Sequence, residues 1–107
     1  MIIVETPIFN KQVLEALPDD EYRLFQTMLL ERPDGGKIIP GSGGLRKIRW
    51  SAEGRGKRSG IRIIYYWFTA QGAILLLFIY PKNVQADLTA DQLKQLKKIV
   101  DEEYHGG

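Results

Sequence analysis

The 107 residues, 44% hydrophobic and 26% charged, suffice for one domain with a modest core, residues 1–107, and are too few for two. The lack of cysteine removes disulfides, thiolate nucleophiles and cysteine-built zinc sites. The opening "MIIVETPIF" has no signal-peptide pattern and the longest apolar run, "AILLLFIY", is far short of a membrane span, so a cytoplasmic protein without membrane association is expected.

The first element is a short strand, "IIVET", ended by Pro7. In "FNKQVLEAL", Phe9, Val13 and Leu17 recur on one helical face, and Pro18 closes that helix. Asp19 and Asp20 offer N-cap oxygens to a second helix whose buried stripe is Tyr22, Phe25, Met28 and Leu29, stopped at Arg32-Pro33. "PDGGKIIPGSGG", with five glycines and two prolines, is a loop containing a brief extended piece at residues 37–39. "LRKIRWS" is a strand with Leu45, Lys47 and Arg49 on one face and Arg46, Ile48 and Trp50 on the other. "IRIIYYWF" and "AILLLFIY" are too apolar for a sheet wet on one side and read as central strands joined by the tight turn "TAQG". "LTADQLKQLKKIVDEEY" begins with a Thr89/Gln92 capping box and carries Leu93, Leu96, Ile99, Val100 and Tyr104 on one face. The order predicts an α+β domain: a small twisted, mainly antiparallel sheet with two N-terminal helices and one C-terminal helix, one sheet face being left open.

The net charge of +2 conceals a separation. Seven basic residues stand between Arg46 and Arg62 against one acid, Glu53, while the rest of the chain holds eight basic and twelve acidic residues. Such local excess suits a polyanion met at one face; a solvated, charge-protected edge strand is the plainer alternative. On the second central strand, Arg62, Ile64, Tyr66 and Phe68 share a parity, which makes Tyr66 the aromatic to line a site beside Arg62. Trp50 shares the parity of Ile48 and is expected to be buried.

The pattern "GLRKIRW…RGKRSGIRIIYYW…AILLLFIYPKNVQADLTADQLKQL" resembles the HigB-type branch of the RelE/ParE superfamily, the toxins of type II toxin–antitoxin modules, over nearly the whole chain. The resemblance implies a RelE-like fold and a ribosome-dependent endoribonuclease that cuts messenger RNA in the decoding site. It also implies a cognate antitoxin protein as partner, with the toxin itself monomeric and assembling further only with that antitoxin. Its basic strand residues fall on Lys47 and Arg49, the arginine opening its next strand on Arg62, and a further basic position on Lys82. Where RelE-branch members carry an arginine and then a tyrosine, this chain reads Asn83 and "VQADL", so a tyrosine general base does not carry over.

Cleavage by the RNA's own 2′-hydroxyl requires a proton to leave that oxygen, charge on the phosphorus centre to be stabilised, and the leaving 5′-oxygen to be protonated. The single histidine, His105, stands in a terminal "HGG", and Asp87 and Asp91 read as loop and helix-start residues, so neither a histidine pair nor a metal or other cofactor is expected. Arg49 and Arg62 suit a phosphate clamp, and Lys47 or Lys82, crowded by like charge, suits proton transfer. Arg46, Arg55, Lys57, Arg58 and Tyr66 are assigned to RNA and ribosome contact. A ParE-like gyrase inhibitor and a non-catalytic RNA-binding module are the alternatives.

Overall fold

Apolar strands of this length bury both faces only if helices lie on each, and the chain does this with a five-stranded sheet. The computed structural model describes residues 1–51 and 60–105, the last two by backbone alone. In chain order the elements are β1 (Ile2–Glu5), α1 (Pro7–Ala16), α2 (Asp19–Glu31), β2 (Lys37–Ile38), β3 (Leu45–Trp50), β4 (Ile61–Phe68), β5 (Ala73–Pro81) and α3 (Ala90–Val100). The sheet order is β1-β5-β4-β3-β2, with β1 parallel to β5 and every other pair antiparallel. No helix among the described residues is long and apolar enough to cross a membrane.

Local chemistry sets the boundaries. Pro7 occupies the first helical position of α1, where its missing N–H costs nothing, and the Thr6 side chain caps the helix by accepting from the Phe9 N–H. α2 differs from expectation at its start: Pro18 is the N-cap without a side-chain bond, and Asp19, Asp20 and Glu21 fill the first turn, where they face the positive end of the helix dipole. A single 3₁₀ turn, Thr69–Gln71, reverses the chain between β4 and β5 and closes on Gly72 at φ 62°, a conformation that favours glycine. The Thr89/Gln92 capping box of α3 is present in both directions.

Two cores lie on opposite faces. Phe9, Val13 and Leu17 of α1 and its cap, with Phe25 and Leu29 of α2, pack on Ile61, Ile63, Tyr65, Ile74, Leu76 and Ile79. Leu96 and Val100 of α3 cover Leu45, Ile64, Leu75, Leu77 and Tyr80. The second face is therefore not open along its length, because α3 needs an apolar floor and takes it. Trp50, expected to be buried, is half-buried, with its ring edge-on to Phe25 at 5.5 Å between centroids.

One irregularity decides what reaches that second face. Between Ile64 and Tyr65 the β4–β5 register slips, leaving Leu77 as an extra residue on β5. The slip puts Phe78 and Tyr80 on the side of Leu75 and Leu77; strict alternation would have sent both to the opposite core. Polar groups displaced around the bulge find partners at α1. The Leu77 carbonyl accepts from the Thr6 hydroxyl at 3.4 Å, and the Ile79 N–H donates to Gln12 Oε1 at 2.8 Å.

Candidate nucleic-acid interface

The antiparallel register lays Arg49, Arg62 and Tyr80 side by side across β3, β4 and β5, and in the parallel row beside them Lys37, Lys47, Ile64 and Phe78. Lys47 and Arg49 share one face by alternation, and the β3–β4 register, which pairs Arg49 with Arg62, brings Arg62 to the same face. Arg49 is exposed and Arg62 is buried at 7% exposure, its guanidinium donating to the Ile61 carbonyl at 3.5 Å. Two arginines directly opposite on antiparallel strands repel, an arrangement that an anion placed between them would relieve.

Lys47 is 31% exposed and donates to the carboxylate of Asp87 at 2.7 Å, an ion pair joining β3 to the loop that leads into α3. The hydrogen bond from Lys47, then its charge and that of Arg62, hold the Asp87 carboxyl below the usual aspartate value. Asp87 does lie in the loop and Asp91 in the first turn of α3, as read from sequence, but the expectation of a Lys47 crowded only by like charge is corrected: a carboxylate is its nearest partner. The loop is itself fixed, since Gln85 donates to the Asp87 carbonyl at 2.9 Å and to Gln92 Oε1 at 2.8 Å.

Tyr80 is the residue that sequence reasoning missed. It pairs with Arg62 in register and is 2% exposed, and its hydroxyl is buried without a hydrogen-bond partner among the described residues. Burial, then the charge of Asp87, pushes the phenol up, against a smaller opposing effect of Arg62. It is therefore a neutral donor across the ordinary pH range. No periodicity signals it, because "ILLLFIY" is apolar at both parities and only the bulge assigns Tyr80 to this face.

The remaining candidates are distributed as follows. Lys82 is exposed, and its backbone N–H donates to the Gly60 carbonyl at 3.1 Å, which places it just past the Ile61–Pro81 pair, two residues beyond Tyr80. Tyr66 is on the Arg62 face but pairs with Leu45 and lies against Gly44 and the α3 core, two pairs beyond Ile64 rather than in the row. Arg46 is on the other face, where it donates to the Gly36 carbonyl at 2.7 Å and sits 5.8 Å over the Trp67 ring. Arg55, Lys57 and Arg58 lie outside the described residues. No group of three or more His, Cys, Asp or Glu with metal-binding geometry occurs among the described residues.

No family model matches the sequence. The fold is RelE-like: a structure of the E. coli toxin RelE, a double arginine-to-alanine mutant in the free state, matches at a TM-score of 0.63 and 12% identity, over 92% of this chain and 96% of that one.

Proposed function

We propose that this chain is a HigB-type toxin of a type II toxin–antitoxin module that cleaves messenger RNA in the decoding site of the ribosome. The observation that carries this reading is the cross-strand row Arg49–Arg62–Tyr80 beside Lys47, a concentration of phosphate-binding groups on a RelE-like sheet. Its partners are the ribosome, messenger RNA and a protein antitoxin, and its place of action is the cytoplasm.

In this reading Arg49 and Arg62 grip the scissile phosphate in fork geometry and stabilise the charge that grows on it. The 2′-oxygen loses its proton and bonds to phosphorus, the bond to the 5′-oxygen breaks, and that oxygen takes a proton, leaving a cyclic phosphate and a 5′-hydroxyl. Lys82, two residues beyond Tyr80, carries the proton traffic, Lys47, held by Asp87, adds positive charge beside the row, and Tyr80 adds a neutral hydroxyl beside Arg62. Lys82 adds an exposed cation for ribosomal RNA, and Arg55, Lys57 and Arg58, which lie outside the described residues, are assigned to the same contact from their charge alone.

The test adds the protein to ribosomes programmed with a defined message and to the same RNA alone, with 5′ ends mapped by primer extension. New ends in the decoding site only with ribosomes are expected, and Arg49→Ala or Arg62→Lys should lower single-turnover cleavage by about 10²–10³. Intact message with DNA breaks in cells would move the reading to gyrase inhibition; ribosome binding without cleavage would leave an RNA-binding module.

A further inference from the structure

Beside the Lys47–Asp87 pair, between the β2–β3 loop and the start of α3, lies a cleft of about 400 Å³. Ile39 and Pro40 line it from the loop, and Leu88 and Leu93 from the α3 side, with Lys47 and Asp87 on the same lining. Its volume falls within the roughly 300–1,000 Å³ of small-molecule sites, and its mix of apolar walls with a few convergent polar groups is that of a ligand pocket. Both sides are fixed in advance. Ser42 donates to the Ile39 carbonyl at 2.6 Å and Ile39 N–H to the Leu45 carbonyl at 2.8 Å, while Gln85 and the capping box hold the Asp87 loop.

We propose that this cleft is a guanine-selective nucleobase pocket, seating a base of the RNA chain whose phosphate is held by Arg49 and Arg62; the proposal rests on the RNA-cleaving reading above. The apolar side chains take the flat faces of an unstacked base. Selectivity follows from the pair. A carboxylate only accepts hydrogen bonds and an ammonium only donates them. Among RNA bases, guanine alone has two adjacent N–H donors, N1 and N2, on its pairing edge, with the O6 acceptor next to them. Asp87, 73% exposed, accepts from N1 and N2 while Lys47 donates to O6. Adenine and cytosine would turn a ring-nitrogen lone pair toward the carboxylate, and uracil flanks its one N–H with two oxygens. Lys37, also on the lining, is placed for the phosphate of the bound nucleotide.

The proposal is tested by ¹⁵N NMR titration of the intact protein with the 5′-monophosphates of guanosine, inosine, adenosine, cytidine and uridine, none of which holds a cleavable bond. Guanosine monophosphate is expected to perturb the amides of Ile39, Leu88 and Leu93 and to bind about tenfold or more tightly than the adenosine, cytidine and uridine nucleotides. Inosine monophosphate, lacking the N2 amine, should bind several-fold more weakly than guanosine monophosphate, and Asp87→Asn should erase the ranking. Equal binding of all five, or perturbation confined to the Arg49 and Arg62 strands, overturns the pocket. The ribosome assay keeps the two readings apart: guanine-selective binding with no cleavage retains the pocket and removes the nuclease, whereas cleavage with no guanine-selective perturbation does the reverse.

Discussion

Single side chains in this fold join segments far apart in sequence. Tyr65 shows this in the core: its hydroxyl donates to the Pro33 carbonyl at 2.7 Å and accepts from the Gly36 N–H at 2.8 Å, so one phenol anchors the turn that leads into β2. The approach is close enough that a Cβ on Gly36 would lie 2.8 Å from the Tyr65 ring. Tyr65→Phe leaves both partners unsatisfied in a buried place and is expected to cost about 1–3 kcal/mol, measured by urea denaturation. Asp87 does the same on the surface. Its folded pKa lies below the ordinary 3.8, so the tether it gives to β3 is present above that value and lost as pH falls through the lower folded one. Amide exchange at Leu88 and Thr89 should accelerate in that acidic window, and Asp87→Asn should show the faster exchange already at neutral pH.

At the level of elements, the β5 bulge matters most, because it assigns Tyr80 to the cationic row and is buttressed from α1. Gln12 supplies the acceptor for the Ile79 N–H. Gln12→Ala is expected to destabilise the fold by roughly 1–3 kcal/mol and to shift the Tyr80 ring resonances in NMR spectra; unchanged Tyr80 resonances would show that the bulge holds without α1. Much of the element layout was legible beforehand. Proline and glycine punctuation, the apolar stripes of α1 and α2 and the Thr89/Gln92 capping box are local signals, and each falls where it was read, while Tyr104 of the α3 stripe has its side chain outside the described ones. The bulge was not legible, since a run of aliphatic residues carries the same hydrophobic signal at either parity.

Across the whole molecule, three tyrosines in or against the two cores share one behaviour. Burial is the leading cause that raises Tyr22, Tyr65 and Tyr80 above 10.0; for Tyr22 the hydrogen bond it donates to Glu5 adds to this. A folded pKa above the unfolded one gives stability that is complete below pH 10 and lost as pH rises through the folded values. Unfolding free energy should therefore fall steadily above pH 10, by up to about 1.4 kcal/mol per pH unit for each fully buried phenol. Chemical denaturation at stepped pH measures the slope, and Tyr65→Phe should reduce it.

The sequence by itself determined the elements, their order, the α+β class and the shared face of Lys47 and Arg49, because each is written in periodicity, turn residues or strand alternation within a few positions. Tertiary structure alone decided the parallel docking of β1 on β5, the cover that α3 lays over the second face, the entry of Tyr80 into the row and the pairing of Lys47 with Asp87, forty residues away. Those four depend on register and on contacts between distant segments. A strand's own residues fix which side chains alternate, but only the neighbour it meets fixes which of them face each other.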